Sequence, residues 1–561
     1  AVPTPDIEAF ITEMLKYKDG DKLLVKYSLM SSPTRILVGT VLFEGKFFVP
    51  MRRAFRNDED GLFHFEDIVP KDNLEPEAGN QTTATRTTAT DDSESEHFEM
   101  EEKVAAAMVM VKFIAPHLMD GMHAHSFTGT GFIIDAAKGI VVCSRNVVPC
   151  SLGNVLLSVA SEVQVRAEVI YIHPMLTFSV LKFDPRNHDL VSAGIELREL
   201  RLCPTNLKTL DKTTFIGLTG KETRIRVNES TVTYVTNIPA TEHWPPGYYP
   251  KNQQIYKVDK VSSSSSKGGV FVDKDGAVQA FFWEYVPKGY AAFPAYQVFD
   301  DVSLTLEAMK GTSPVELNYK TLGLSITSKP ISKVKDVYKI SAERLDMLKK
   351  RIKEKKLDRK HVLSVSRVMT SYPPADVLEI GDIILNINGF PVADVEDVED
   401  QVKGKSKVTV TIQRNQEEKT VDVITASLPI AGTSQVVAFA GLSIQPIFPH
   451  VAFSSFMPEG AENGGVFIVR RMSGSPADQS RIPTNVWITH VNDNPVKNID
   501  DFLEIVTNLE NNSDTRIKIV TRQGVSRAYT LKTDFHYFGT QLLERKVGTT
   551  DWTNQSINNE V

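Results

Sequence analysis

A run of hydroxyls leads into a glycine pair at Ser262-Ser263-Ser264-Ser265-Ser266-Lys267-Gly268-Gly269, inside Lys257–Trp283, which reads as two β-strands around a loop. Such a turn suits nucleophilic chemistry: a serine attacks a carbonyl and adjacent backbone N–H groups hold the oxyanion. Here the residue directly before the glycine pair is Lys267, an ammonium, and Ser266 stands one place early. His117, His123 and His125, in HLMDGMHAH, are metal-ligand types. The run is loop-like and no cysteine or carboxylate pair completes a set, so no metal and no other cofactor is expected. Gly129-Thr130-Gly131 has the spacing of a phosphate cradle, but it runs into the apolar strand pattern Phe132–Asp135 rather than a helix.

The elements that would position these groups are mainly β. Residues 103–311 contain short β-rich runs at barrel-like spacing: Val104–Phe113, Thr130–Ile134, Ile140–Cys143, Val155–Val159, Val169–Ile172 and Phe178–Phe183. Residues 312–430 and 431–537 form a repeated pair. Each opens on a matched phrase, Leu322–Ile326 (LGLSI) and Ala440–Ile444 (AGLSI), and each continues as hairpin, helix and strand. Asn388-Gly389 between alternating apolar residues predicts a tight hairpin. In the first repeat, Ser341–Arg359 predicts an amphipathic helix with Leu345, Leu348 and Ile352 inward and Lys349, Lys350, Arg351, Lys353, Lys355 and Lys356 on the other face. A nuclear-import or nucleic-acid patch is one reading of that face, and a solvated helix surface is the commoner one. Residues 1–66 repeat only the helix-then-strand part of the pattern. Residues 67–102 are an acidic, Ser/Thr-rich linker with little to bury, and residues 538–561 read as a loose polar tail.

At 561 residues the chain holds several domains. A hydrophobic content of 41%, a charged content of 24% and a net charge of −7 are ordinary for globular protein and argue against a general nucleic-acid or membrane surface. The three cysteines, Cys143, Cys150 and Cys203, have no paired spacing, which fits a reducing compartment.

Taken together, Gly129–Asp135, VVCSRNVVP (Val141–Pro149), HPMLTFSVLKFDP (His173–Pro185) and Lys267–Trp283 resemble the trypsin-like domain of the HtrA/DegP serine proteases. The nearest resemblance is to the tandem type, the pro-apoptotic nuclear serine proteases of yeasts and the long Deg proteins of plants. LEIGDIILNINGFPV and Gly474–Asp478 (GSPAD) resemble HtrA-type PDZ phrases. The resemblance implies a degenerate trypsin-like double β-barrel followed by two α+β PDZ domains, with residues 1–66 completing another PDZ domain. It also implies that the chain is the C-terminal half of a longer polypeptide whose upstream half carries the protease.

The family's triad then maps onto Asn146 at the base position, Thr177 at the orienting position and Lys267 at the nucleophile position. A carboxamide does not titrate near neutral pH and cannot serve as general base. The expectation is a catalytically inactive scaffold, the alternatives being a weak protease using Ser266 or an adaptor unrelated to proteolysis. For the PDZ domains the resemblance places peptide binding at Leu322, Gly323, Leu324, Ser325 and Ile326, and at Gly441, Leu442, Ser443 and Ile444. There a segment would add as a strand and its terminal carboxylate would meet backbone N–H groups. Protein or peptide segments, the upstream protease half and further copies of the chain are the implied partners. Neither a membrane nor nucleic acid is implied, and the implied compartment is the nucleus or cytoplasm.

Overall fold

The computed structural model describes residues 16, 22–29, 32–42, 52–56, 63–67, 100–160, 162–203, 206–219, 225–238, 247–261, 266–283, 290–298, 318–357, 360–370, 372–453, 457–458, 465–545 and 551–558. They divide into two units, Ala1–Ala89 with Val561, and Thr90–Glu560. In the first unit Lys22–Leu29 pairs with Ser32–Leu42, and Arg52–Arg56 with Phe63–Asp67. The helix expected before Lys18 and most of the acidic linker lie outside the described residues.

The second unit opens with residues 100–106 in helical conformation, and its first strand starts at Met108, later than the apolar run from Val104 suggests. MEEKVAA is built from strong helix formers, and its Val104 buries from the helix rather than from a strand. Met108–Ile114, Ser126–Asp135, Ile140–Ser144, Asn154–Val159, Val163–Ile172 and Phe178–Phe183 close into a six-stranded barrel. Its strands cross closely at Gly131, where a Cβ would come within 2.6 Å of Val111 and 2.8 Å of Val141. Val111, Phe113, Ile133, Val141 and Leu157 are fully buried in its core.

A second six-stranded barrel follows, from Lys212–Thr219, Ile225–Asn237, Gln254–Val258, Ser266–Val272, Val278–Phe282 and Tyr290–Pro294. Phe215 fills its centre against Phe271 and Phe282. The two barrels meet through Phe132 and Phe281, whose ring centres are 5.2 Å apart. Trp283 stacks on Phe281 at 4.9 Å and extends that seam.

Each repeat is a sheet with a helix laid across it. In the first the sheet order is Leu324–Pro330, His361–Val368, Ile383–Ile387, Lys407–Arg414, Glu417–Ile424, with the helix Val395–Val402. Leu324–Pro330 is its edge strand. In the second, Leu442–Gln445, Val466–Arg471, Val486–Val491, Asp514–Val520 and Ser526–Lys532 take the same order beside the helix Ile499–Thr507. The hairpin turn at Asn388-Gly389 has φ of 51° and 79°, the two left-handed residues that a type I′ turn demands. The amphipathic helix is Ala342–Glu354, capped by Ser341 and burying Leu345, Leu348 and Ile352. Its basic face is smaller than the sequence suggests. Arg351 bonds Asp397 at 2.6 Å, and Lys355 bonds Asp394 at 2.8 Å and Glu396 at 2.7 Å, so two of the cations tie this helix to the next one.

The expectation of a loose tail is corrected. Thr540–Arg545 pairs with Gln435–Phe439 and with Trp552–Asn558, extending the second repeat's sheet. The polar pattern hid Leu543, which is fully buried against the first barrel, and Trp552, whose indole N–H donates to Gly153 O at 3.1 Å.

Candidate functional site

Of the three positions that the resemblance assigns to a triad, Asn146 and Lys267 each have a chain neighbour packed on Gly129-Thr130, and Thr177 accepts from the backbone of Arg145. Asn146 lies in the turn after Ile140–Ser144, where the N–H groups of Val147 and Val148 both donate to Ser144 O. Asn146 itself donates its backbone N–H to Ser144 Oγ at 3.1 Å. The neighbouring Val147 rests on Gly129, at which a Cβ would come within 2.3 Å of its methyl group. Lys267 lies in the strand Ser266–Val272, and the following Gly268 (φ 157°) packs on the Thr130 side chain at 2.7 Å from an ideal Cβ. The side chains of Ser266 and Lys267 are outside the described residues, as is the loop 262–265.

Thr177 closes the arrangement. The turn before it is held by His173, whose Nδ1 accepts the N–H groups of Met175 and Leu176 at 3.0 and 2.9 Å. His173 is thus a structural turn residue. Thr177 is buried, its carbonyl accepts from Arg145 N at 3.4 Å, and its N–H donates to Gln253 Oε1 at 3.1 Å. Tyr248 donates to Thr177 Oγ1 at 3.4 Å and lies 4.1 Å from the Arg145 guanidinium. Arg145 donates to His173 O at 2.6 Å, and burial lowers its pKa against the opposing pull of Tyr248 and Asp120. The positions that the resemblance assigns to base and orienting group thus hold a carboxamide and a hydroxyl, with the buried Arg145 between their segments.

The histidines of HLMDGMHAH are otherwise engaged. His117 Nε2 is 3.1 Å from Gln541 Oε1, His125 Nδ1 is 3.0 Å from Ala115 O, and His123 meets Phe127 edge-on. All three cysteines are buried.

The two phrases assigned to peptide binding hold their glycines at positive φ, 60° for Gly323 and 84° for Gly441. A sequence reading does not anticipate what lies against them. On the open edge of the first repeat, Asn252 donates from Nδ2 to Leu324 O at 2.8 Å and accepts the Ile326 N–H on Oδ1 at 2.9 Å. Asn252 comes from the connection between the second barrel's strands Ile225–Asn237 and Gln254–Val258, is buried, and has φ of 57°. On the corresponding edge of the second repeat lies the chain's own strand Gln435–Phe439, with Val437 opposite Ile444 and Phe439 opposite Leu442. That hairpin turns at Ala440-Gly441, with φ of 49° and 84°. Phe439 then meets Phe502 of the overlying helix edge-on at 5.6 Å. Leu442 and Ile444 are therefore already paired on both sides. The hairpin signal was present, since Val437 and Phe439 alternate ahead of a small-residue turn, but the leading Ala440 disguised it. Nothing in the local sequence marks Asn252.

Residues 343–425 match a model of the PDZ domain and residues 431–512 one of a PDZ-like domain. The chain is 28% identical to "Pro-apoptotic serine protease NMA111" of Debaryomyces hansenii over 98% of its own length and 54% of that protein's. It is 27% identical to the protein of the same name from Saccharomyces cerevisiae, over 98% of this chain and 53% of that one. For the Yarrowia lipolytica protein the figures are 28%, 97% and 54%. The chain thus spans about half the length of the curated relatives it matches. Among solved structures, "HtrA-type protease AlgW with decapeptide" superposes with a TM-score of 0.39 at 14% identity, over 59% of this chain and 99% of that one. A serine endoprotease from Yersinia pestis superposes with a TM-score of 0.37 at 16% identity, over 61% and 100%. Among the described residues no helix is long and apolar enough to cross a membrane.

Proposed function

We propose, for a chain that is HtrA-like over nearly its whole length and carries PDZ domains, that it is the non-catalytic, peptide-docking C-terminal half of a tandem HtrA-type serine endopeptidase. The observation that carries this reading is Asn146. It sits in an intact, hydrogen-bonded turn beside Thr177, where the imidazole of an active member would be oriented by a carboxylate. Without base or nucleophile, a triad enzyme keeps only about 10³–10⁴-fold over water from its backbone donors and binding. The barrels then serve as a rigid platform for the PDZ domains, which hold extended segments of client proteins for proteolysis elsewhere in the polypeptide.

Purified chain treated with a fluorophosphonate serine probe should stay unlabelled and should not hydrolyse casein. Labelling that is abolished by Ser266→Ala would overturn the reading in favour of a weak protease. Capture of labelled peptides, read by fluorescence anisotropy, tests the docking role. As parts of the same proposal we place the protein in the nucleus or cytoplasm, where a fluorescent fusion would locate it, and expect a homo-oligomer by light scattering.

A further inference from the structure

An added strand binds a sheet edge by satisfying the backbone groups that point outward from alternate residues. On the edge strand Leu324–Pro330, Leu324 O and Ile326 N are such groups, and the single carboxamide of Asn252 takes both. A carboxamide has the donor and acceptor of a peptide bond. Beside it is a cavity of about 300 Å³, walled on its apolar side by Tyr171, Met175, Leu176 and Ile430 and on the other by the helix Val395–Val402. The cavity has the size to take one large apolar side chain, and Asn252 forms part of its wall.

We propose that Asn252 is a built-in competitor for the first PDZ domain, and that its ligand is an extended peptide whose backbone replaces the Asn252 carboxamide while one apolar side chain enters this cavity. The inference rests on the docking role given above and adds to it a gate and a location. The gate is short. The segment Tyr248–Gln253 is itself well fastened, by Lys251 N donating to Met175 O at 2.9 Å, by Gln253 to Thr177 N and Gln297, and by Tyr248 to Thr177 and His450. Turning the Asn252 side chain alone frees both edge groups while the segment stays in place. The apparent affinity for a peptide is reduced by the fraction of molecules in which the edge is open. Losing a competitor that holds two hydrogen bonds, each already exchanged with water, raises that fraction about tenfold.

The test uses the full chain and fluorescein-labelled decapeptides ending in free Val, Leu or Phe, read by anisotropy, with wild type, Asn252→Ala and Asn252→Asp compared. Asn252→Asp keeps an acceptor for Ile326 N but sets a carboxylate against Leu324 O. Both variants should bind about tenfold more tightly than wild type, and the Ile326 amide should exchange faster with deuterium in Asn252→Ala. Equal affinity of all three proteins overturns the competitor and leaves the docking role standing. Binding by none of them overturns the docking role itself. If a variant unfolds, the wild-type chain still decides. A saturating peptide that leaves Asn252 side-chain amide resonances unshifted overturns the proposal.

Discussion

The two PDZ domains carry the same phrase, LGLSI and AGLSI, at the same place in the same sheet, and both edges are covered, but by unlike means. In the first domain one side chain from another domain does it, through the two hydrogen bonds of its amide. In the second, a continuous strand does it, with Val437 and Phe439 fully buried and the strand's far edge paired with Thr540–Arg545. The difference is one of energy scale. Two hydrogen bonds exchanged with water contribute about 1–3 kcal/mol. A buried strand carrying a phenylalanine contributes several times that. One edge is closed in a way a ligand can reverse, and the other has become part of the core.

The sharpest way to break that comparison is to remove the aromatic. Phe439→Ala should destabilise the second domain by about 3–5 kcal/mol, the range for truncating a fully buried phenylalanine, seen as an early transition in urea denaturation. It should not expose a working peptide site, because the domain loses its core with its covering strand. If Phe439→Ala costs under 1 kcal/mol and the variant gains peptide binding, the two edges are alike after all. The helices that flank the edges differ in the same sense. Asp397, in the first turn of its helix, accepts Ala393 N and also holds Arg351 and Lys355, with its side chain fully buried. Its counterpart Asp501 is half-buried and accepts Lys497 N. Asp397→Ala should therefore cost about 3–5 kcal/mol, the penalty for stranding buried charge, and Asp501→Ala about 1 kcal/mol, that of one lost hydrogen bond. Equal midpoint shifts in denaturant would remove the asymmetry.

Much of this architecture is legible in the sequence, for physical reasons that also mark where it stops. The barrels announce themselves because their strands alternate within short windows, and the Asn388-Gly389 turn because only a few residue types tolerate two successive positive φ values. Asn146 and Thr177 are found from the phrases around them, and the structure joins their segments through Arg145 N donating to Thr177 O. The residues at the grooves are a different matter. Asn252 meets Leu324 across 72 residues, and Gln541, which looked like the start of a loose tail, meets Ala438 across more than a hundred. Such pairings are decided by how domains stack, and no local period records them. The tail misled for a related reason: its two strands bury few but large groups, Leu543 and Trp552, among polar neighbours.

Glycine substitutions sharpen the comparison on a smaller scale. Both phrase glycines have positive φ, so an alanine costs about 1–2 kcal/mol at either. At Gly441 the new Cβ would also stand 2.1 Å from the Ser475 Cβ, whereas at Gly323 its nearest neighbour is the flexible Met369 at 3.4 Å. Gly441→Ala should thus exceed Gly323→Ala by about 1–3 kcal/mol, the usual cost of overpacking, in the difference of denaturation midpoints.

The smallest expected effect is a matter of pH. His450, just after the covered strand Leu442–Gln445, is buried against Tyr248 with ring centres 4.9 Å apart. Burial, and then the nearby Arg145 and Lys251, hold its pKa well below 6.5. Below pH 6.5 the unfolded chain binds a proton here that the folded chain refuses, so stability falls as pH drops through 6.5, by at most about 1.4 kcal/mol per pH unit. Between pH 7 and 5.5 the wild type should lose about 1 kcal/mol relative to His450→Phe, the other histidines cancelling between the two proteins. The first domain's closure offers no such handle, because the Asn252 carboxamide does not titrate. Over that interval protection of the Ile326 amide, corrected for intrinsic exchange, should stay constant while the second domain loosens. A parallel loss at Ile326 would mean that the two edges open together, and that the distinction between a reversible cover and a built-in strand is wrong.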